Sequence, residues 1–348
     1  MDFNDFFKKY SIKEKDKLII ACSGGSDSMF LLSEIIKFHP KESTIVVHFN
    51  HQLRDIESNS DQIFVENFCK KNNLTLVVGT SNIGELSVKN KTGIEETARI
   101  ERYKFLNKIK DKYEASYILT AHHLDDNIET FMFNLIRGTR LNGLTGIEEL
   151  SEDILRPLLH LTKNNILEKC TQEEIEFIYD SSNSDDNYLR NHIRLNIIPE
   201  FDKINPSYPK AFDSIISYFG ELKSFLDENI IKYIKTVENS TISVISSGNE
   251  KSLLIKSIDN KTGRKEETAN ENFKIFKNYI EILEFQTLSA FLQKELISHI
   301  FKIRNAGTIG LTQGNIDEII RFISDKGNYT KKEIKKLFLF KKNGKIFF

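Results

Sequence analysis

The feature that most constrains this fold is a pair of adjacent glycines, Gly24 and Gly25, between an apolar run and a helical pattern. Residues 18–22 are uncharged and apolar, which is typical of a buried β-strand. Apolar side chains then recur at helical spacing over residues 29–36. Adjacent glycines let backbone N–H groups turn inward, and such a turn at a helix N-terminus binds an anion. We therefore predict a phosphate site at residues 23–28.

The polar residues of this turn sharpen the prediction. Ser23, Ser26 and Ser28 add hydroxyl groups that can donate hydrogen bonds to phosphate oxygens. Asp27 is unexpected there, because a carboxylate repels phosphates; it fits if a divalent cation lies between them or if it caps the helix. The turn is neither a Walker loop nor a G-x-G-x-x-G motif. An ordinary serine-capped turn is the alternative.

Apolar runs alternate with helical patterns over the first 140 residues. The predicted strands are residues 18–22, 43–49, 74–78 and 117–121. This alternation predicts an α/β fold, a doubly wound parallel sheet with helices on both faces. Ligands of such sheets bind beyond the carboxyl ends of the strands. Because polar motifs follow the first, second and fourth strands, we expect them at one edge of the sheet.

Two histidines and three acidic residues follow the fourth strand. They are His122, His123, Asp125, Asp126 and Glu129. Asp125 and Asp126 each share a helical face with Glu129, because side chains three or four residues apart are neighbours on a helix. The carboxylates suit a metal ion or a substrate ammonium group, and both interpretations stay open. Acidic residues that merely complement the helix dipole are the alternative.

Other histidine and arginine side chains are weaker candidates. They are His48, His51, Arg54, Arg102, Arg190 and Arg194. His48 and His51 follow the second strand, and Arg54 adds a fixed cation close by. Arg102 belongs to a charged stripe on a helix predicted over residues 93–110. Arg190 and Arg194 begin a basic helix. Each is equally typical of a solvated surface, so these residues gain weight only in combination.

The chain divides by composition into two predicted domains. Residues 1–200, with a linking helical segment from about 141, carry 25 Lys and Arg against 32 Asp and Glu, a net charge of −7. Residues 201–348 carry 24 against 18, a net charge of +6. A basic excess suits a polyanion. We predict a catalytic domain over 1–200 and a smaller, mostly helical, basic domain over 206–348.

Local patterns predict the elements of the later part of the chain. Helices are predicted over residues 162–170, 172–179, 191–199, 208–236, 273–302 and 312–324. Short strands are predicted at 241–245 and 252–255, and residues 259–272 are polar. Apolar arms around Asn343-Gly344 predict a β-hairpin at the C-terminus.

Composition also limits the compartment. No apolar run approaches a membrane span, and the first residues lack a basic-then-apolar signal pattern. Three isolated cysteines cannot all pair, which favours a reducing compartment. We expect a cytoplasmic protein with no membrane partner.

Taken in order, these segments resemble the tRNA(Ile)-lysidine synthase family of N-type ATP pyrophosphatases, over roughly residues 18–200. The matching segments are Ser-Gly-Gly-Ser-Asp-Ser at 23–28, His-Phe-Asn-His-Gln-Leu-Arg at 48–54, Glu95 with Ala-Arg-Ile-Glu-Arg-Tyr at 98–103, Ala-His-His-Leu-Asp-Asp-Asn-Ile-Glu-Thr at 121–130, Arg-Gly at 137–138, Gly-Leu-Thr-Gly at 143–146, Arg-Pro-Leu-Leu at 156–159, Asp-Ser-Ser-Asn at 180–183 and Arg-Asn-His-Ile-Arg at 190–194. Asn50 and Asn127 depart mildly from the family's pattern.

The resemblance implies an adenine nucleotide alpha hydrolase-like, Rossmann-like fold and a two-step ligase. ATP would adenylate the carbon-2 carbonyl oxygen of the wobble cytidine in an isoleucine tRNA with a CAU anticodon, with release of pyrophosphate. The ε-amine of free L-lysine would then attack carbon 2 and expel AMP, which gives lysidine.

The resemblance also implies residue roles. The ATP-binding set would be Ser23, Gly24, Gly25, Ser26, Asp27, Ser28, His48, His51 and Arg54, with Asp27 positioning Mg²⁺. The substrate-binding set would be Asp125, Asp126, Glu129 and Arg102. Asp126 and Glu129 would bind the lysine ammonium groups, with one carboxylate as proton acceptor. Arg102 and Arg54 would pair with the lysine carboxylate or a phosphate, and whether Asp125 contacts ATP or lysine stays open. His122 or His123 would contact the α-phosphate. The tRNA-binding set would be Arg190, Arg194 and the lysines of the C-terminal tail.

The sequence lacks the catalytic motifs that two alternative functions require. A tRNA thiolase needs paired reactive cysteines, and a glutamine-dependent amidating synthetase needs a glutaminase; neither motif is visible. A non-catalytic tRNA-binding protein would not need the acidic residues that are intact at 27, 125, 126 and 129. The oligomeric state, a homodimer included, is left open by the sequence.

Overall fold

A computed structural model describes residues 2–52, 55–179, 189–236, 242–245, 273–276, 278–305, 311–325 and 331–348. The chain divides into two compact units, Met1–Gly220 and Glu221–Phe348. The domain borders that the sequence places at residues 200 and 206 stay a prediction.

A mostly parallel sheet organises the first unit. Its strands are β1 (Leu18–Ala21), β2 (Thr44–Asn50), β3 (Thr75–Thr80), β4 (Tyr117–Leu119), β5 (Leu150–Ser151) and β6 (Ile154–Leu155). Among the described residues the strand order is β3-β2-β1-β4-β6-β5. Every pair is parallel except β5 with β6. The predicted parallel α/β sheet is therefore confirmed, with four of its strands where the sequence placed them.

Helices cover both faces of this sheet. The helices that begin in the first unit are α1 (Phe3–Lys9), α2 (Ser26–Phe38), α3 (Asp55–Asn72), α4 (Ile83–Asn90), α5 (Ile94–Tyr113), α6 (Leu124–Ile136), α7 (Leu141–Leu144), α8 (Lys163–Gln172), α9 (Leu189–His192), α10 (Ile198–Ile204) and α11 (Tyr208–Ile231). Leu18 and Ile20 of β1 pack into a core with α2, whereas Ile19 packs into a second core with α5. All three are fully buried, as expected for a strand covered on both faces.

The order of the strands fixes the position of the ligand site. From β1 the chain proceeds to β2 and β3, and it then returns to β4 on the other side of β1. The order of the strands therefore reverses between β1 and β4, and in such sheets ligands bind beyond the carboxyl ends of the strands at this position. The glycine turn follows β1, and the histidine–carboxylate cluster follows β4.

The segment after α8 corrects one prediction. A helix over residues 172–179 is wrong, because α8 ends at Gln172 and Glu174 adopts a left-handed conformation, with φ of 54°. The chain then runs extended, and the Ile178 N–H donates to the Gly24 carbonyl at 2.9 Å. Pairing with the glycine turn thus overrides local helix propensity. The predicted helix at 191–199 lies within α9, a π-helical turn (Ile193–Ile197) and α10.

The second unit combines helices with an antiparallel sheet. Its strands are β7 (Lys235–Thr236), β8 (Ile242–Ile245), β9 (Phe273–Phe276), β10 (Asn278–Glu281), β11 (Lys331–Ile334), β12 (Leu337–Lys342) and β13 (Lys345–Phe347), and its helices are α12 (Ile282–Thr287), α13 (Ala290–Asn305) and α14 (Gln313–Ser324). Five strands form a sheet in the order β11-β12-β13-β10-β7, and β8 pairs with β9. The predicted helical C-terminal region is confirmed, with a small sheet added.

Two predictions for this unit have opposite outcomes. The C-terminal hairpin is confirmed: Asn343 and Gly344 link β12 to β13 with φ of 48° and 73°, the signs that a tight two-residue hairpin turn requires. One helix over residues 273–302 is wrong at its start, where β9 and β10 form instead. Ile280 is buried opposite Ile346 of β13, so sheet pairing decides its conformation. The predicted strand at 252–255 and the polar stretch 259–272 lie outside the described residues.

Within the described ranges, none of the helices has the length and apolar character needed to cross a membrane.

Candidate active site

The glycine turn after β1 needs glycine for two reasons. Gly24 has φ of +96°, a conformation that side-chain-bearing residues rarely adopt. A Cβ at Gly24 would also lie 3.3 Å from Cδ1 of Ile178 and 3.4 Å from Cγ2 of Val65. Gly25 is the N-cap of α2 and has no side chain to cap it. The turn therefore leads directly into the first turn of α2, as the sequence predicts.

Ser28 holds this turn together from inside. Its buried hydroxyl accepts hydrogen bonds from the N–H groups of Ser23 and Gly24, both at 3.1 Å. It lies 3.0 Å from the Gly25 carbonyl, to which it donates. The structure thus places Ser28 on the protein's own backbone, whereas the sequence suggested a phosphate donor. The anion prediction then rests on the N–H groups that begin α2.

Asp27 has a partner that the sequence did not reveal. The Lys163 Nζ lies 2.6 Å from Oδ1 of Asp27 and 2.7 Å from Oγ of Ser26. Lys163 is the first residue of α8, directly after the N-cap Thr162. A lysine in a first helical turn opposes the helix dipole. That unfavourable position is the sequence signal that could have singled it out.

Asp125 ties α8 to α6. Its Oδ2 accepts a hydrogen bond of 2.8 Å from the backbone N–H of Lys163. Burial acts to raise the pKa of Asp125, but the bonds from His123 and Lys163 outweigh it and lower the pKa below its ordinary value. The sequence assigned Asp125 to substrate binding, whereas the structure engages this carboxylate in holding two helices together.

His123 links the glycine turn to the acidic cluster. Its Nε2 lies 3.8 Å from Oδ2 of Asp27 and 3.5 Å from Oδ2 of Asp126, and its Nδ1 lies 3.4 Å from Asp125. Burial acts to lower the pKa of His123, but the surrounding carboxylates outweigh burial and raise the pKa overall. The ring therefore carries more positive charge near neutral pH than an ordinary histidine.

His122 is the opposite case. Its Nδ1 lies 2.9 Å from the Thr120 hydroxyl. Burial lowers the pKa of His122 to about 4, assisted by the guanidinium groups of Arg156, Arg102 and Arg99 and opposed by Asp126. His122 is therefore neutral at neutral pH, and the Arg102 guanidinium is near enough to act on its charge.

Arg194 neutralises two of the predicted lysine-binding carboxylates. Its Nε lies 2.5 Å from Oε1 of the buried Glu129, and its Nη2 lies 3.0 Å from Oε2. The same Nη2 lies 3.5 Å from Oδ1 of Asp126. Oδ2 of Asp126 accepts a hydrogen bond of 3.0 Å from the backbone N–H of His123. Burial raises the pKa of Glu129 despite this pairing. The sequence assigned Arg194 to tRNA, whereas the structure places it on Glu129 and Asp126.

His48, within β2, and His51, just after it, both have a pKa that burial lowers, so both rings favour the neutral form. The Nδ1 of His48 lies 3.0 Å from the Cys22 carbonyl, so this buried ring joins the ends of β2 and β1. Burial, the Arg102 guanidinium and His48 lower the pKa of His51 to about 4. The charge of Arg102 thus acts on His51 as well as on His122. The predicted Arg54 and the Asp-Ser-Ser-Asn segment at 180–183 lie outside the described residues.

Arg190 lies on α6 through an aromatic contact. Its guanidinium carbon is 5.6 Å from the centroid of the Phe133 ring, and that of Arg137 is 5.0 Å from the same centroid. The sequence also missed Arg156, which is buried and donates to the Glu148 carbonyl at 2.6 Å. Its signal was the position of this arginine at the end of an apolar strand.

The donor set does not form a metal site by itself. Among the described residues, no three His, Cys, Asp or Glu side chains are grouped to hold a metal ion. Asp27 already pairs with Lys163. Thiolate chemistry is equally disfavoured, because all three cysteines are buried and burial raises the pKa of Cys22 to about 11 and of Cys69 to about 12.

Comparisons with known proteins agree with this geometry. Residues 1–201 match the model of the PP-loop domain, so fold and turn together define a PP-loop protein. The chain belongs to the tRNA(Ile)-lysidine synthase family. It is 39% identical over 245 residues to the tRNA(Ile)-lysidine synthase of Persephonella marina, covering 69% of this chain and 54% of that protein. It is 35% identical over 230 residues to that of Petrotoga mobilis, covering 64% and 74%.

The relatives also differ from this chain in length. The match to the enzyme of Bacteroides thetaiotaomicron, 36% identical over 223 residues, covers 64% of this chain and 52% of that protein. The chain thus spans about half the length of several curated relatives that it matches. Among solved structures, the U34-tRNA thiolase NcsA from Methanococcus maripaludis is 20% identical with a TM-score of 0.49, covering 61% of this chain and 73% of that one.

Proposed function

We propose that this protein is an ATP-dependent ligase that joins L-lysine to carbon 2 of the wobble cytidine in an isoleucine tRNA with a CAU anticodon. One observation carries the proposal: the His123 ring lies within 4 Å of Asp27 in the glycine turn and of Asp126 in α6. A nucleotide bound at the turn and an amine bound at the carboxylates would therefore both lie next to His123. A two-step reaction through an adenylated intermediate requires the two to be this close.

The glycine turn is the ATP end of the site. The N–H groups that begin α2 face the position of a phosphate, and the helix dipole favours an anion there. His51 and His122 are neutral and Arg102 is cationic, so these three side chains add no negative charge near the phosphates. ATP use follows from the PP-loop domain, and in our proposal the pyrophosphate leaves from residues 23–28.

Mg²⁺ fits this site only when it binds together with ATP. Magnesium sites in nucleotide-binding enzymes commonly use one or two carboxylates plus phosphate oxygens. Asp27 would supply that single carboxylate, whose Oδ1 contacts Lys163 and whose Oδ2 lies 3.8 Å from Nε2 of His123. When bound, the ion would offset phosphate charge.

The carboxylates of α6 are the amine end of the site. Asp126 and Glu129 are the proposed partners of the lysine ammonium groups, and the Arg194 guanidinium now occupies both. Lysine binding therefore requires Arg194 to give up part of this contact. The carboxylate that Arg194 releases accepts the proton that the ε-amine loses when the amine attacks carbon 2.

The tRNA is the proposed polyanionic substrate, bound in the cytoplasm. Phosphate contacts from lysine and arginine supply most of the affinity in such complexes. In the first unit, Arg190 and Arg137 flank the ring of Phe133. In the second unit, the exposed Lys335 and Lys336 form the turn between β11 and β12, and the exposed Lys331 lies at the other end of β11. Lys332, by contrast, pairs with Glu318.

The decisive experiment is mass spectrometry of the wobble nucleoside. The protein is incubated with ATP, L-lysine and a CAU isoleucine tRNA transcript, and each component is left out in turn. We expect lysidine and AMP only when all three are present, whereas ATP and the tRNA together should already release pyrophosphate as the adenylated intermediate forms. Pyrophosphate release that needs no tRNA would contradict the proposal, as would an unmodified cytidine in the complete mixture.

A further inference from the structure

We propose that Lys163 is a phosphate-binding residue of this site, and that its ammonium group contacts the β- and γ-phosphate oxygens of ATP and then the leaving pyrophosphate. The inference deepens the proposed function and rests on it for the identity of the nucleotide reaction. Its carrying observation is the position of Nζ, 2.7 Å from Ser26 Oγ and 2.6 Å from Asp27 Oδ1.

Those two contacts place the cation where the phosphate is expected. Ser26 and Asp27 are the first two residues of α2, directly after the glycine pair. A helix N-terminus attracts anions and repels cations. Lys163 lies near the first turn of α2 and is itself in the first turn of α8, so both helix dipoles oppose its charge. Asp27 offsets this repulsion in the free protein, and an incoming phosphate would offset it in the complex.

The base of Lys163 is fixed, whereas its tip is open to solvent. Its backbone N–H donates to Asp125, and the Sγ of Cys170 in α8 donates to the Ser26 carbonyl at 3.8 Å. These bonds hold α8 against both α6 and α2. The Lys163 side chain is 37% exposed and the Asp27 side chain 28%. A ligand can therefore reach the ammonium group without disturbing the helices.

The proposed role is electrostatic. In P-loop proteins a lysine beside the glycines reaches the β- and γ-phosphates; no lysine follows Gly25 here, and Lys163 supplies the charge from a distant helix. In the first step the carbon-2 carbonyl oxygen of cytidine forms a bond to the α-phosphorus. The bond from that phosphorus to the bridging oxygen breaks, and its electron pair stays with pyrophosphate. A fixed cation stabilises this growing charge, and Lys163 keeps its protons.

Inorganic pyrophosphate is a direct probe of this contact. Its binding to the full chain is measured by titration calorimetry in EDTA, with neither tRNA nor lysine present. Loss of a hydrogen bond to a charged group corresponds to about a 10- to 100-fold loss of affinity, which we expect for Lys163→Met. The matched control is Lys169→Met on the same helix, whose Nζ lies over the Phe30 ring; it should bind as the unmodified chain does.

A double-mutant cycle separates direct binding from mere neutralisation of Asp27. If Lys163 only masks Asp27, then Lys163→Met with Asp27→Asn should regain the affinity of Asp27→Asn alone. If Lys163 contacts the phosphates, the double variant should stay about 10-fold or more weaker than Asp27→Asn. The Lys163 backbone bond to Asp125 survives substitution, and unchanged thermal unfolding would verify that α8 stays in place.

Failure of this inference and failure of the proposed function give different results. Unchanged pyrophosphate binding by Lys163→Met overturns the inference, even if the unmodified chain makes lysidine. Pyrophosphate binding that Lys163→Met weakens also in the Asp27→Asn background, with no lysidine from the unmodified chain, upholds the phosphate contact and overturns the proposed reaction. A loss of equal size in Lys169→Met would assign the effect to net charge and also overturn the inference.

Discussion

The glycine turn and the acidic cluster lie at the same edge of one sheet, yet they are held in different ways. The backbone of the turn is stabilised mainly by its own segment, because the Ser28 hydroxyl bonds to backbone groups within five residues, and Ile178 adds one bond from a distant segment. The acidic cluster is stabilised from outside, because Arg194 joins Glu129 across 65 residues of sequence. The turn is therefore a preformed site, whereas the cluster is a paired site that a ligand must reopen.

The largest expected effect comes from removing the distant partner. Arg194→Met leaves Glu129 buried without a counter-charge, and breaking such a pair costs about 3 kcal/mol of unfolding free energy; Arg194 is itself 36% exposed, which favours the lower end of the range. The pKa of Glu129 is already raised by burial, so the variant should become more unstable as pH rises above the ordinary range of a carboxyl group. Urea unfolding at pH 5 and pH 8 measures this.

The matched control for that prediction is the double variant Arg194→Met with Glu129→Gln. It removes the buried charge together with its partner and should recover most of the lost stability at pH 8. If the double variant is as unstable as Arg194→Met, packing by the arginine stem and not charge pairing holds the cluster, and the comparison with the turn fails.

The amine end can also be tested separately from the ATP end. Asp126→Asn removes one carboxylate that the proposal assigns to the lysine ammonium, which should raise KM for lysine about 30-fold, equivalent to about 2 kcal/mol. KM for ATP should change much less, because Asp126 contacts His123 and Arg194 and not the glycine turn. Steady-state pyrophosphate release with each substrate varied in turn provides both values, and equal increases would remove Asp126 from the lysine pocket.

The turn should respond locally and more mildly. Ser28→Ala leaves the N–H groups of Ser23 and Gly24 without their acceptor in a buried position, at a cost of about 1.5 kcal/mol of unfolding free energy. Ser33→Ala on the same helix is the control and should have little effect. Pyrophosphate affinity of Ser28→Ala should fall as well, because the turn loses its shape. If Ser28→Ala is as stable as the unmodified chain but binds pyrophosphate more weakly, Ser28 contacts the ligand directly.

The same contrast explains what the sequence could predict. The sheet, the turn and the hairpin at Asn343-Gly344 depend on short-range patterns, and each is present in the structure. The pairing of Arg194 with Glu129 and of Lys163 with Asp27 depends on how α8, α9 and α10 fold back on α6 and α2. No local pattern encodes those contacts, so the sequence assigned Arg194 to tRNA and left Lys163 unassigned. The helix predicted over residues 172–179 was wrong for the same reason, because Ile178 in this stretch pairs with Gly24 in another segment.

The smallest expected effect concerns protonation beside the turn. Burial, Arg102 and His48 lower the pKa of His51 to about 4, from an ordinary value near 6.5. The unfolded chain therefore binds more protons than the folded chain between these values, and stability falls as pH decreases from about 6.5 toward 4. Because the ring is only partly buried, we expect His51 to account for about 1 kcal/mol of the loss by pH 5. His51→Gln should flatten the thermal unfolding profile between pH 7 and pH 5 by that amount. If His51→Gln and the unmodified chain have identical pH profiles, the folded protein accommodates a protonated His51 without loss of stability. The surroundings of His51 would then tolerate a charged side chain, as the acidic cluster does.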